Sequence, residues 1–320
     1  MTAYLSSLLS RSRRLFWALA KIMLPVMLAV RVGELLGWVD AIGVALGPFM
    51  GLLNLPAEAG LVWIACAFVG IYGGIGALIG LAPQMDMNAA QLSALAAMML
   101  FAHNLPLEQA IVRRAGASFW FTCSLRIVVA LGYGGAVAWG SQALGVLQEP
   151  VSLGWLQGSE FASAQDGLGH LAWVRATLVS LVATYVVIVA LLVLLDGMER
   201  LGLTRRITRL LTPVLRVSGL DARVAPVTTV GVLLGLTYGG ALIIEETSKQ
   251  DLPVRARLLA LSWLSLSHSL IEDTLLMLAL GADIWIVLVG RVLVTMLVVS
   301  LMARAWRGPR PQPANSATAA

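Results

Sequence analysis

Six stretches of this chain, near 15–38, 59–82, 116–140, 176–197, 224–244 and 281–303, each run for about the 20 apolar residues that cross a bilayer as a helix. In hydrocarbon every backbone polar group must find its partner inside the protein, so a spanning chain is either helical or a closed barrel. These runs are too long and too uniformly apolar for barrel strands, which alternate. Of 320 residues, 59% are hydrophobic and 12% charged, against the roughly 25% charge of a soluble domain. The sequence therefore predicts an all-α integral membrane protein, with the lipid bilayer as its main partner. The net charge of +5 carries no nucleic-acid signal, because the arginines gather in loops and termini as membrane topology requires.

A shift of 165 positions lays one half of the chain on the other. It carries His103 onto His268, Glu108 onto Asp273 and Arg126 onto Arg291, with Glu34 on Glu199, Gly37 on Gly202, Pro48 on Pro213 and Leu55 on Leu220. Tyr72-Gly73-Gly74 meets Tyr238-Gly239-Gly240 after one inserted residue. Internal repeats are a common build of secondary transporters, with the binding site where the copies meet. Residues 198–223 contain Arg200, Arg205, Arg206, Arg209, Arg216 and Arg223, whereas the equivalent 39–58 has no Lys or Arg. Positive loops stay in the cytoplasm, so equivalent loops lie on opposite sides and the repeats are inverted.

Inversion needs an odd number of crossings per copy. About three spanning helices plus a re-entrant helical hairpin in each copy meet it, with the hairpins expected at about 89–114 and 253–279. The expected organisation is a cytoplasmic segment 1–14, a first repeat 15–140, an external linker 141–172 without Lys or Arg, a second repeat 173–305 and a disordered cytoplasmic tail 306–320. Both termini are then cytoplasmic, and the basic N-terminal run reads as a retained first helix. This arrangement leaves Lys249, Arg255 and Arg257 outside, against the positive-inside rule.

Each expected hairpin carries polar groups that hydrocarbon does not tolerate without partners or a water-filled cavity. Asn104 with Pro106 suits the start of a half-helix, and Ser269-Leu270-Ile271-Glu272 matches a capping box. Two helix N-termini facing each other would favour electron-rich groups. Substrate-binding candidates are His103, Asn104, His268, Ser269, Arg126 and Arg291. Candidates for a coupling ion or proton are Glu108, Glu272, Asp273, Glu245 and Glu246, the last two because their counterparts Gly80 and Leu81 break the symmetry. Each has a structural alternative: the arginines can clamp the hairpins through Glu108 and Asp273, and Glu272 can serve only as a cap. Cys66 and Cys123 lie within apolar runs without metal-ligand spacing and read as small core residues. No cofactor motif and no feature of an enzyme is present.

The two copies of Tyr-Gly-Gly followed by "FAHNLPLEQ" or "LSHSLIEDT", then a helix with a central arginine, resemble the nucleoside-recognition, or Gate-domain, membrane proteins across most of 15–305. That group is similar to spore-maturation-type proteins and to the membrane domain of ferrous-iron uptake proteins. The hairpin layout is also similar to concentrative nucleoside transporters. The chain has neither G-x-x-x-x-G-K-[ST] nor a GTPase domain. The resemblance implies a bacterial cytoplasmic (inner) membrane and a secondary transporter or permease for a small polar or anionic solute, nucleoside-like compounds among them. The competing expectations are a divalent metal permease using imidazole and carboxylate ligands, and a membrane scaffold that transports nothing. A homo-oligomer is compatible with all three.

Overall fold

A computed structural model describes residues 2–153, 169–221, 224–236, 239–240, 243–245 and 253–305. Among these residues no strand forms, and five helices are long and apolar enough to cross a membrane. The protein is an all-α integral membrane protein. The first copy consists of α1 (Thr2–Leu35), α2 (Trp38–Leu52), α3 (Ala57–Val69), α4 (Ile71–Leu81), α5 (Ala89–Phe101), α6 (Leu105–Arg114) and α7 (Phe119–Leu144). The second consists of α8 (Gly169–Arg200), α9 (Leu203–Val217), α10 (Ala225–Leu234), α11 (Val254–Ser267), α12 (Glu272–Ala279), a π-helical turn (Trp285–Gly290) and α13 (Arg291–Ala305). The segment 2–14 is the start of α1 rather than a separate element.

Backbone geometry repeats along with the sequence. Left-handed φ values occur at Gly37 and Gly202 (69° and 66°), Asn54 and Gly219 (58° and 96°), Gly70 and Gly235 (103° and 105°), Asn104 and Ser269 (46° and 48°), and Gly116 and Gly281 (94° and 99°). Every pair is 165 residues apart. The register also holds through the glycine pair, with no inserted residue. Gly74 lies against Cys66 and Met99, while Gly239 lies against Gly231 and Leu264, so Gly239 is the counterpart of Gly74 rather than of Gly73.

Equivalent first helices run antiparallel. The Tyr4 ring lies 4.5 Å beneath the Arg200 guanidinium, Arg11 pairs with Asp196 at 2.9 Å, and Phe16 meets Tyr185 edge-on. Two equivalent spans packed head to tail are what an inverted repeat requires.

The re-entrant hairpins are one element earlier in each copy than the sequence suggests. Residues 57–81 do not cross as one helix. At Gly70 the chain reverses, and a Cβ placed on Gly74 would come within 2.6 Å of the Cβ of Cys66, a residue some 12 Å away along a straight helix. In the second copy Gly239 approaches the backbone of Gly231 in the same way, with the reversal at Gly235. Residues 89–114 instead form one interrupted span, with α7 packed along both halves. The π turn and α13 pack likewise along α12 and α11. The polar break in 102–104 and 268–271 interrupts a helix; the left-handed glycine, free of a Cβ penalty, is what turns the chain back.

α3 leaves α2 at 95°, which suits an α2 lying along the membrane surface. Its counterpart α9 carries Arg205, Arg206, Arg209 and Arg216. The interrupted spans fill the centre: α5 is buried at every residue but Gln91, and α11 is buried from Leu259 to Ser267. The other spans present apolar side chains outward, as lipid requires. α5 is started by a capping box at Asn88 and Gln91. The one proposed from sequence at Ser269 and Glu272 does not form.

Candidate functional site

The two interruptions meet at the centre of the molecule. Asn104 stands at the start of α6 and Ser269 in the turn that leads into α12, both in left-handed conformation, and neither makes a side-chain cap. A capping side chain needs an extended backbone to fold over the first turn, and a left-handed residue turns it away. They face the hairpin tips instead. A Cβ on Gly70 would touch Asn104, and one on Gly235 would lie 3.0 Å from the Ser269 hydroxyl. Asn104 N–H donates to the carbonyl of Cys66 (3.0 Å) and Leu270 N–H to that of Val232 (2.9 Å), which ties each tip to its interrupted span.

His103 and His268 meet across the interface with 2.9 Å between their Nε2 atoms. Contact between equivalent atoms places them on the pseudo-two-fold axis that relates the copies. Each ring directs Nδ1 to a carbonyl four residues back, Met99 at 3.0 Å and Leu264 at 2.8 Å. Glu108 Oε1 lies 3.2 Å from His268 Nε2 and 3.3 Å from His103 Nε2, so one carboxylate oxygen serves both imidazoles.

Behind each break a fully buried arginine takes up the carbonyls that the interruption frees. Arg126 Nε donates to Phe101 O (2.7 Å) and Nη2 to His103 O (2.9 Å). Arg291 repeats both bonds, to Leu266 O and His268 O, each at 3.1 Å, and adds Leu100 O of the other copy. The third nitrogen breaks the symmetry. Arg126 Nη1 donates to Glu108 Oε2 at 2.6 Å, whereas Arg291 Nη1 and Asp273 Oδ2 have no hydrogen-bond partner. Asp273 is one methylene shorter than Glu108 and leaves Arg291 unreached; its Oδ2 stands 3.9 Å from His103 Nε2.

A cavity of about 350 Å³ opens over this cluster. Its polar lining consists of Tyr72, His103, Asn104, Glu108, His268, Ser269, Glu272 and Asp273, and the tips Gly70 and Gly235 border it. The arginines proposed from sequence as substrate ligands do not line it; their hydrogen bonds hold them behind the breaks as clamps. Glu245 is exposed and away from the cavity. Glu246 lies outside the described residues. Ile22, Tyr72, Gly70 and Gly235 line the cavity without having been singled out from sequence as site residues. The 165-residue shift pairs the two glycines, and that was the available signal.

His103, His268 and Asp273 also bring one donor atom each within 4.8 Å of one another. A tetrahedral ion with bonds of about 2.05 Å keeps its nitrogen ligands roughly 3.3 Å apart, wider than the separation here. Two guanidiniums flank the cluster as well. The spacing of the two imidazoles is that of a hydrogen-bonded pair.

No family model and no solved structure matches the chain. It is similar to a Bacillus subtilis (strain 168) protein described as "Uncharacterized membrane protein YvoD", with 25% identity over 301 residues that cover 92% of each chain. The likeness extends over both copies and supports the membrane character of the chain.

Proposed function

We propose that this protein is a secondary transporter or permease that moves a small polar solute, nucleoside-like compounds among the candidates, through the cavity between the hairpin tips. The observation that carries this reading is the cavity itself. It lies where two inverted copies meet, it has the volume of a small-molecule site, and it is lined by equivalent residues of both copies, the arrangement on which alternating access is built. The resemblance to Gate-domain proteins points the same way. With both guanidiniums withdrawn and Glu272 and Asp273 in the wall, the lining suits an uncharged polar solute better than an anionic one. A scaffold role would leave such a cavity without a use.

Relocating the hairpins also improves the topology. With the N-terminus inside, α1 crosses outward, the first hairpin dips in from outside, and the interrupted span returns Arg113 and Arg114 to the cytoplasm. In the second copy the hairpin enters from the cytoplasm, so Arg255 and Arg257 lie inside and their conflict with the positive-inside rule disappears.

The test is solute counterflow in proteoliposomes with a panel of nucleosides, nucleobases and small carboxylates. Exchange of an uncharged member, lost in Ile22→Trp, which fills the cavity from α1, is the expected result. Exchange that persists in Ile22→Trp would mean that the cavity is not the route.

A further inference from the structure

The histidine pair contains a hydrogen-bonding conflict that a single proton resolves. A carbonyl oxygen only accepts, so the contacts to Met99 and Leu264 place a hydrogen on Nδ1 of both rings. A neutral imidazole has one N–H. Two neutral rings would then confront each other with bare Nε2 lone pairs, yet these atoms are 2.9 Å apart, a hydrogen-bond length.

We propose that His103 and His268 share one extra proton between their Nε2 atoms, and that this proton is the ion coupled to solute movement. The coupling rests on the transport reading above; the proton itself does not. The surroundings fit a positive charge at this point. Glu108 Oε1 is near both nitrogens while Arg126 holds its other oxygen. Asp273 offers His103 an oxygen without another partner. Arg291 packs behind the His268 carbonyl, and Glu272 and Tyr72 face the cavity from α12 and α4. With the carboxylates ionised, two guanidiniums and the shared proton balance Glu108, Asp273 and Glu272. Loading is a simple transfer: a hydronium in the cavity gives its proton to one bare Nε2, one N–H bond forms, and water is left. Release to water on the other side reverses it. No other reactant is needed.

The protein has three histidines, so His170→Gln leaves only the pair in a ¹⁵N-histidine NMR spectrum of the full chain in micelles. Near neutral pH the expected spectrum has three protonated ring nitrogens and one bare, with both rings changing together as pH is varied. His268→Gln should remove the extra proton and leave His103 with Nδ1–H, a bare Nε2 and a titration of its own. His103→Gln should do the converse, so the result does not depend on one variant folding. Two neutral rings titrating independently would overturn the proposal. So would a spectrum changed by a metal chelator, which would put a metal ion in the gap. A shared proton without counterflow of any solute would sink the transport reading alone.

Discussion

Glu108 and Asp273 occupy equivalent positions and differ by one methylene, and that methylene decides which arginine is paired. Arg126 is fully buried with Glu108 against it at 2.6 Å. Removing one partner of a buried ion pair costs about 3–5 kcal/mol, because the other charge stays buried. Glu108→Ala should therefore lower the unfolding free energy by about that amount, measured by denaturant unfolding in micelles. Asp273→Ala should cost less, since Asp273 makes no direct contact with Arg291 and its ionic neighbour, His103, is 3.9 Å away. Asp273→Glu should stabilise, because the longer side chain can reach Arg291 Nη1 as Glu108 reaches its counterpart; no gain would show that the orphaned guanidinium has another cause. The sequence made these residues visible as polar groups recurring within apolar runs. It could not separate clamp from ligand, because the arginines' bonds go to backbone carbonyls that exist as acceptors only once the spans are interrupted. The capping box was missed at Asn88 and expected at Ser269 for a related reason: the motif describes side chains, while the left-handed backbone at Ser269 decides where they point.

At the scale of elements, hydropathy shows where the chain lies in the bilayer but not which apolar run turns back. A run of the length of 57–81 can span as one helix or fold into two half-depth helices, and a single glycine separates the outcomes. Polar residues in 89–114 gave a more conspicuous break, so the reversal was expected there. Counting crossings did not correct this, since both layouts have three per copy. The misplaced loop charges at Arg255 and Arg257 were the clue. Close glycine contacts offer one test. Gly74→Val places methyls where Cys66 and Met99 already sit, and overpacking of this kind costs about 1–3 kcal/mol. Gly132 has open space around it, so Gly132→Val should show no such loss. Topology offers another. In a background with Cys66 and Cys123 replaced, Val254→Cys should react with a membrane-impermeant thiol reagent only from the cytoplasmic side. Labelling from the outside would restore the hairpin to 253–279.

For the whole molecule, the inverted repeat was legible because loop charge and a constant shift are properties of sequence. The antiparallel packing of α1 on α8 gives it physical form. The meeting of the two copies through His103 and His268 depends on packing between distant parts of the chain, and no local pattern encodes a separation of 2.9 Å. That meeting is the centre of the account: two copies build one site, and the cavity, the shared carboxylate and the proton all follow from it. A double-mutant cycle measures it directly. Residues in contact couple by about 0.5–3 kcal/mol, whereas separated residues add within about 0.3–0.5 kcal/mol. Unfolding free energies of the wild type, His103→Gln, His268→Gln and the double variant should give a coupling in the first range. Additivity within the second would mean that each histidine serves only its own copy, and the single shared site would be wrong.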